Sequence, residues 1–398
     1  MQLYTLHKYQ RNAYIILEGE TKAEDFFIIK EGHVNLIKKF PVSSEKHVET
    51  LGPGDFFGVV GSMTQLPQLE TAVTITPAVV ISIKHSKFAD LVKNNPSLAN
   101  KIIRSFSKKL RIFNERNVDF RNPVEGEDEN FRTLLNIAET YIELHRNRLA
   151  TYMYKCINHY VPESKTGEAA REKLNQLEST LEFNKKSGVV QNFDDGEVIF
   201  CENEPPNEVY ILKKGKVRIS RIVENKDVQL FIMKSGDVFG EMALLENKNR
   251  SATAVALEET ELLVINRTNF ELMTQKEPQL MTKTIALLAD RIWTSNKLML
   301  NTYFPDLNSK ILDMLYVNFE RTKTEITPSQ TYTFNLSFSD VMNMIILEEK
   351  VDKAETTFLA ANKFLKIDKN NIVCLDMQQL ARQVGALRTK YLISKFNK

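Results

Sequence analysis

An acidic residue and a basic residue in one short stretch, Glu241 and Arg250, could together hold a small anionic ligand. They lie nine positions apart, separated by a segment long enough for one helical turn. Arg250 can neutralise a phosphate and bond it through its planar guanidinium fork. Glu241 can accept hydrogen bonds from a sugar hydroxyl, and the N–H groups of Ala243 and Leu244 can point at an anion. The pattern therefore indicates a site for a ligand with both a phosphate and a ribose.

The small residues around this pair favour ligand binding. Gly240 allows a ligand to approach the backbone closely, and Ser251, Ala252 and Thr253 leave room while offering hydroxyl groups. The alternative is an internal ion pair that merely spans a loop. Such a pair would not require the glycine and the small residues together.

The chain repeats itself with an offset of about 182 residues, which predicts two copies of one domain. Gly32 and Gly215 match with one residue of slip. The other matching segments, with the first copy named first, are Gly54-Asp55 and Gly236-Asp237, Phe57-Gly58 and Phe239-Gly240, Phe88 and Phe270, and Asn95-Pro96 and Glu277-Pro278.

Both copies have the pattern of short strands followed by a helix. Apolar and polar residues alternate, for example over Val209 to Ile211 and Val217 to Ile219, as expected of half-buried strands. Glycine-containing turns separate the runs, which predicts a closed β-roll or jelly roll. A long amphipathic helix then follows each roll, with Pro96 or Pro278 near its first turn. We call the helix after the second roll the lid helix.

A helical connector is predicted between the rolls. Leu134, Ile137, Tyr141 and Leu144 have helical spacing, and the connector is interpreted as a packed spacer rather than as a lever or a partner surface. The predicted fold class is α+β, with two jelly-roll-like β-rolls, each followed by a long helix. The predicted domains are residues 1–118 (first roll), 119–184 (connector), 185–303 (second roll and lid helix) and 304–398 (C-terminal domain).

The second copy resembles the cyclic nucleotide-binding domains of protein kinase regulatory subunits and of the bacterial cyclic-AMP receptor protein family. The resemblance rests on Gly-Glu-x-Ala-Leu at 240–244 and Arg-Ser-Ala-Thr at 250–253. It implies that Arg250 binds the cyclic phosphate, that Glu241 binds the ribose 2′-hydroxyl, and that the lid helix closes on the base. In the bacterial family this helix supplies an arginine and a hydroxyl pair. These fall on Arg291 and on Ser295-Asn296, so half of the hydroxyl pair is retained.

The resemblance implies cyclic AMP or cyclic GMP as the effector, since the hydroxyl of Ser251 can serve either base. No metal is expected, because the cysteines and histidines have no ligand spacing. The turn at Glu202-Asn203-Glu204 has asparagine where the family usually has glycine, and asparagine tolerates left-handed geometry. The predicted ligand-binding residues are Phe239, Gly240, Glu241, Met242, Ala243, Leu244, Arg250, Ser251, Ala252, Arg291, Ser295 and Asn296.

The first copy lacks the residues that would hold a phosphate. Val59 takes the place of the acid, Gln68 takes the place of the arginine, and Glu70 is expected to face the phosphate position. A buried phosphate without a cationic partner is strongly disfavoured. We therefore expect nucleotide in the second roll only, with the first roll kept for packing or dimerisation.

The C-terminal hundred residues are predicted to form a winged helix. A short helix opens near Ser337 and runs to about Ile346, a second helix ends near Phe364, and a hairpin turns at 369–371. The segment from Ser337 to about Val373 is similar to the DNA-binding domain of the cyclic-AMP receptor protein family.

The DNA-reading residues of that family carry over poorly. Its turn glycine falls on Ile346 and its base-reading arginines fall on Glu349 and Ala354, while Asp352 takes an apolar core position. Between 348 and 363 there are four acids and three bases, and DNA phosphates repel such a surface. Packing or protein contact is therefore as strong an interpretation as DNA binding. The candidate DNA-binding residues are Ser337, Lys350, Lys353 and Thr357.

Composition excludes several classes of protein. The chain has 53 basic and 51 acidic residues, whereas a non-specific polyanion binder should be clearly basic. Cys156, Cys201 and Cys374 are far apart in sequence and predict neither a disulfide framework nor a metal-ligand pair, as in a reduced, cytoplasmic protein. No apolar run is long enough to span a membrane, and no signal-peptide pattern opens the chain.

Two functional interpretations remain. The first is a regulator in which nucleotide moves the lid helix and repositions a DNA-binding output domain. The second is a scaffold with the same sensor and an unknown protein partner. The sequence has no nucleophile motif, no metal-ligand spacing and no P-loop, so nothing in it indicates an enzyme. Lid helices pair into a dimer in the bacterial family, so the chain is expected to form a homodimer or to pair its own rolls within one chain.

Overall fold

The computed structural model of the chain describes residues 4–21, 23–39, 47–115, 127–180, 182–183, 185–223, 225–246, 248–276, 278–345 and 351–393. The chain divides into two compact units, one of residues 1–91 and 288–398 and the other of residues 92–287. The unit boundaries fall inside the predicted first domain and inside the lid helix. The four-domain division therefore stays a prediction, and each unit is described by itself.

The first roll consists of two antiparallel four-stranded sheets, as the alternating pattern predicts. Their strand orders are β1-β8-β3-β6 and β2-β7-β4-β5, where the strands are β1 (Thr5–Tyr9), β2 (Tyr14–Ile16), β3 (Asp25–Glu31), β4 (Val34–Ile37), β5 (Val48–Leu51), β6 (Phe56–Phe57), β7 (Thr71–Thr74) and β8 (Ala78–Lys84). Short helix α1 (Val59–Thr64) lies between β6 and β7. The inward faces of the strands form an apolar core that includes Phe27, Ile29, Val34 and Phe57.

Helices fill the chain between the rolls. They are α2 (Phe88–Asn94), α3 (Pro96–Glu115), α4 (Glu127–Glu143), α5 (Asn147–Tyr160) and α6 (Lys165–Gln176). Helix α3 begins at the predicted proline. Helix α6 begins where the Ser164 side chain accepts a hydrogen bond from the Gly167 N–H, which is typical of an N-cap.

The connector helices share a core with the second roll. Leu134, Tyr141 and Ile157 are buried together with Val198 and Val255 of that roll. The contact agrees with a packed spacer. Leu144 is 36% exposed and lies beyond the end of α4.

The second roll repeats the strand order of the first. Its sheets are β14-β11-β16-β9 and β10-β15-β12-β13, with β9 (Val190–Phe193), β10 (Val198–Phe200), β11 (Glu208–Lys214), β12 (Val217–Val223), β13 (Lys226–Met233), β14 (Val238–Phe239), β15 (Thr253–Ala256) and β16 (Thr260–Asn266). Helix α7 (Glu241–Glu246) lies between β14 and β15, and α8 (Arg267–Lys276) precedes the lid helix, α9 (Pro278–Thr302).

One matched pair of turns shows why the repeat keeps a glycine there. Gly32 and Gly215 have φ of +83° and +92°, a region that residues with a Cβ rarely adopt. A Cβ at Gly32 would lie 2.3 Å from the Pro77 carbonyl oxygen, and one at Gly215 would lie 2.6 Å from that of Glu259. Both turns therefore require glycine for the same two reasons.

The C-terminal segment contains the predicted pair of helices and the predicted hairpin. Its elements are α10 (Leu307–Glu320), β17 (Tyr332–Thr333), α11 (Phe338–Ile345), α12 (Val351–Ala361), β18 (Leu365–Asp368), β19 (Asn371–Cys374) and α13 (Met377–Leu387). Lys369 and Asn370 turn the hairpin with positive φ, as a two-residue turn requires. In the described parts of the chain, every helix is too short or too polar to cross a bilayer.

Polar contacts join the last turns of the lid helix to this segment. The Arg388 Nε donates to Asp313 Oδ1 at 2.7 Å, and the Asn301 amide donates to Asp313 Oδ2 at 3.0 Å. Lys297 pairs with Glu320 at 3.4 Å. Lys297 and Asn301 of the lid helix thus contact side chains of α10 directly.

Candidate functional site

We call residues 239–253 the second cassette, which turns sharply at a glycine. Gly240 has φ of +80°, and a Cβ there would lie 2.7 Å from Arg250 Nη1. Glycine is therefore needed both for the backbone conformation and for the approach of the arginine. Helix α7 begins at Glu241, which is 1% exposed.

The Arg250 guanidinium is buried and points into the roll, with 2% of the residue exposed. Its Nη1 donates to the Gly240 carbonyl at 2.6 Å and its Nη2 donates to the Glu208 carbonyl at 2.7 Å. The Phe200 ring lies 4.3 Å from the guanidinium carbon, a distance at which a ring face attracts a cation. The Nε–H is buried and has no hydrogen-bond partner among the described residues. This donor is available for an anionic acceptor.

The backbone of Arg250 is held by the turn after β10. The Arg250 N–H donates to the Glu204 carbonyl at 2.9 Å, and the Asn203 N–H donates to the Arg250 carbonyl at 2.8 Å. Asn203 has φ of +64°, so asparagine adopts the left-handed conformation expected where the family has glycine. The turn thus fixes where the arginine leaves the strand.

The other predicted cassette residues surround this point. Phe239 is buried and stacks on Tyr210, with ring centroids 5.3 Å apart. Met242, Ala243 and Ala252 are buried, and Ser251 is partly buried. The Leu244 side chain lies outside the described part of the structure. Of the predicted cassette residues, Phe239 and Gly240 are therefore brought together with the buried cation of Arg250.

Residues 6–95 and residues 190–277 match the family of the cyclic nucleotide-binding domain. Both rolls are similar to that domain. The match agrees with the predicted repeat and covers most of each roll but neither the connector nor the C-terminal segment.

The chain is also similar to curated proteins over parts of its length. The chain is 24% identical over 194 residues to the CRP-like cAMP-activated global transcriptional regulator of Mycobacterium tuberculosis, covering 48% of this chain and 86% of that protein. It is 35% identical over 101 residues to the cyclic AMP receptor protein of Thermus thermophilus, covering 25% of this chain and 47% of that protein.

Solved structures also align with the chain. One is the c-di-GMP responsive global regulator of Xanthomonas campestris, at 17% identity and a TM-score of 0.35, covering 46% of this chain and 92% of that one. Another is the regulatory domain of Toxoplasma gondii PKA with cAMP, at 18% identity and a TM-score of 0.21, covering 73% of this chain and 85% of that one.

The lid-helix candidates fall in the other compact unit. Arg291, Ser295 and Asn296 belong to the unit of residues 1–91 and 288–398, whereas the second cassette belongs to the unit of residues 92–287. Arg291 and Asn296 are each 6% exposed. Their assignment to the nucleotide stays a prediction.

A cavity of about 480 Å³ opens beside the aromatic residues that surround Arg250. It reaches Glu208 and Tyr210 from the second roll and Tyr152 and Lys185 from the connector side. Sequence reasoning missed these residues, because each lies in another element and carries no motif of its own. The sequence signal that could have indicated the cavity is the presence of aromatic residues at inward-facing strand positions beside the cassette.

All three cysteines are free and buried, and two of them lie beside a buried carboxylate. The ligand atoms of Cys156, Cys201 and Glu204 lie within 4.8 Å of one another. Burial raises the pKa of both thiols, and Lys185 forms an ion pair with Glu204. The thiols are therefore protonated, and the carboxylate is paired with the Lys185 cation. The two cysteines are 45 positions apart in sequence, and no motif indicated this contact.

The first cassette, residues 57–71, has no cation at the equivalent point. Gln68 is 4% exposed, and a Cβ at Gly61 would lie 2.5 Å from its Oε1. Burial raises the pKa of Glu18, and the nearby charge of Glu70 raises it further. A neutral amide thus takes the position of Arg250 in the first roll, and Glu18 lies near both Glu70 and the cations Lys39 and Lys297.

The candidate DNA-binding residues are only partly described. Ser337 caps α11: its hydroxyl accepts from the Asp340 N–H, and its own N–H donates to Asp340 Oδ2. Lys353 and Thr357 are exposed on α12, and the Thr357 hydroxyl donates to the Lys353 carbonyl. Lys350 lies outside the described residues, as do Ile346 and Glu349. Ala354 is 8% exposed and packs in the core.

Proposed function

We propose that the chain is a cyclic-nucleotide-responsive regulator that binds its effector in the second roll. Arg250 would bind the cyclic phosphate and Glu241 the ribose 2′-hydroxyl. The observation that carries this proposal is the buried Nε–H of Arg250, which has no partner among the described residues. A buried donor on a charged group is costly to leave unsatisfied, and a phosphate oxygen would satisfy it.

Charge supports an anionic ligand at this point. The backbone carbonyls of Gly240 and Glu208 contact the guanidinium through dipoles, not through a full negative charge. A phosphate would replace dipoles with a full opposite charge in a region of low dielectric, where a paired charge is strongly favoured over an unpaired one. The Arg250 guanidinium is thus suited to exchange its backbone carbonyl acceptors for a phosphate of the ligand.

We propose cyclic AMP as the effector and one binding site per chain. Relatives with aligned domains are named for cyclic AMP. In the first roll, Val59, Gln68 and Glu70 supply no cation for a phosphate. Discrimination from cyclic GMP would depend on Ser251 and on the lid helix.

The signal would pass through the lid helix to the C-terminal segment. Arg291, Ser295 and Asn296 are the lid-helix residues proposed to respond to the nucleotide. Ligand shifts such an equilibrium only through different affinities for its two states. The contacts of Lys297 and Asn301 with helix α10 supply a route to the output segment.

For the output, we propose a winged helix that regulates transcription, with Ser337, Lys353, Thr357 and Lys350 facing DNA. The second candidate is a scaffold that acts on a protein partner. The buried Ala354 favours the scaffold, because the family has a base-reading arginine at that position.

Calorimetric titration with cyclic AMP and cyclic GMP tests the sensor, and a mobility-shift assay with genomic DNA fragments tests the output. One site per chain that Arg250→Gln abolishes is the expected result. Absence of binding to either nucleotide would reject the sensor. Nucleotide binding without any shifted DNA would favour the scaffold.

A further inference from the structure

Helix α3 follows the first roll in sequence but packs on the cassette of the second roll. Within the unit of residues 92–287, α3 contacts helix α7 of the second cassette and helix α8. Ile103, Ser107 and Leu110 are all at most 1% exposed. One face of α3 is therefore covered, and Arg104, on another face, is exposed.

One side chain of α3 contacts Asn249, the residue just before Arg250, which is proposed to bind the phosphate. Arg111 is 6% exposed, and its Nη1 donates to the Asn249 carbonyl at 3.2 Å. The peptide unit that joins Asn249 to Arg250 thus makes two hydrogen bonds. Its carbonyl accepts from Arg111 of α3, and its N–H donates to the Glu204 carbonyl. A hydrogen bond from a charged donor is stronger than one between neutral groups.

The other unit contains the equivalent contact. Trp293 of the lid helix is fully buried, and its Nε1 donates to the Pro67 carbonyl at 3.0 Å. Trp293 and Arg111 differ by 182 positions, as do Asn249 and Pro67. The same donor position on each long helix therefore bonds the same acceptor position on the cassette of the other repeat.

We infer that α3 is a closing element of the second cassette, in addition to the lid helix, and that Arg111 is a positioning residue for nucleotide binding. This inference rests on the proposed function. Arg111 holds the Asn249 carbonyl, and thereby sets the direction in which the Arg250 side chain enters the roll. The first repeat has no arginine of its own at the phosphate position, yet it contributes Arg111 of α3 to the site in the second repeat.

The test is titration of cyclic AMP into full-length variants. Arg111→Met, which removes the donor, should weaken binding by about tenfold or more, the loss expected for a charged hydrogen bond. Arg111→Lys keeps a donor and should recover most of the affinity. Arg104→Met is the matched control on the exposed face of α3 and should bind as wild type.

Equal losses in Arg111→Met and Arg111→Lys would overturn the inference, since they would indicate a packing role only. Wild-type affinity in Arg111→Met would overturn it as well. If Arg111→Met fails to fold, hydrogen exchange of the wild-type chain decides. Cyclic AMP should slow exchange in 96–115 as well as in the second cassette, and unchanged exchange in 96–115 rejects a closing role.

The two proposals can fail separately. Arg250→Gln without loss of affinity would reject the nucleotide site itself, and with it this inference. Loss of binding in Arg250→Gln together with wild-type binding in Arg111→Met would reject the role of α3 alone.

Discussion

The two cassettes occupy the same place in rolls of identical strand order, yet their central side chains differ. Buried Arg250 in the second roll corresponds to buried Gln68 in the first. The aromatic stack beside the cassette is nearly unchanged: ring centroids are 5.2 Å apart for Phe27 and Phe57, and 5.3 Å apart for Tyr210 and Phe239. This ring pair therefore keeps its spacing whether arginine or glutamine occupies the central position.

The largest expected effect is the loss of nucleotide binding on removal of the second-cassette cation. Arg250→Gln should cost about 2–5 kcal/mol of binding free energy, because a desolvated phosphate would be left unpaired. Calorimetric titration with cyclic AMP measures it. Gln68→Met is the control at the equivalent position of the first roll and should leave affinity unchanged. Equal effects of both substitutions would contradict the assignment of one site to the second roll.

The two cassette glycines should separate backbone strain from crowding. Gly58→Ala and Gly240→Ala both place a Cβ at positive φ, which costs about 1–2 kcal/mol of folding free energy. At Gly58 the nearest atom is 3.6 Å away, whereas at Gly240 Arg250 Nη1 is 2.7 Å away. Gly240→Ala should therefore cost more in urea unfolding, and it alone should weaken cyclic AMP binding. Similar effects of both would show that the contact with Arg250 is easily relaxed.

A smaller effect is expected from the contact that corresponds to Arg111. Trp293→Phe removes the donor to the buried Pro67 carbonyl and should lower the free energy of unfolding by about 1 kcal/mol. This contact belongs to the first roll, which has no arginine to bind a phosphate. The number of cyclic AMP molecules bound per chain should therefore not change. Thermal unfolding and titration of the same sample check both statements. A reduced number of sites would mean that the first roll takes part in binding.

No effect is expected from restoring the two missing residues to the first roll. Val59→Glu with Gln68→Arg should still give one site per chain, since the acid Glu70 remains two positions from the introduced cation. The count of sites is clearest in an Arg250→Gln background, where the expected number is zero. Tight binding there would show that the first roll lost only two side chains.

The repeat, the strands and the starts of the long helices were predictable, because each depends on local pattern. Pro96 and Pro278 begin helices as expected, and Asn370 turns the hairpin with positive φ. The cassette residues were assigned from their spacing and from the family resemblance, and their role in ligand binding stays a prediction. Their position around the buried Arg250 follows from strands that are distant in sequence but hydrogen-bonded in the sheets.

The contacts that could not be predicted are those between distant elements. Neither Phe200 beside Arg250 nor Cys156 beside Cys201 has a signal in periodicity or motif. The contact of Arg111 with Asn249 joins residues 138 positions apart. Such contacts depend on how helices pack on rolls, and amphipathicity indicates only that one face of a helix is covered.

The contact of each cassette with a helix from the other repeat limits how the protein can be dissected. A fragment cut after residue 118 would keep α3 but lose the cassette that covers it, and its own cassette would lose Trp293. A fragment that begins at 185 would retain Arg250 without Arg111. Although the sequence has the appearance of separable modules, its two repeats are expected to behave as one indivisible piece.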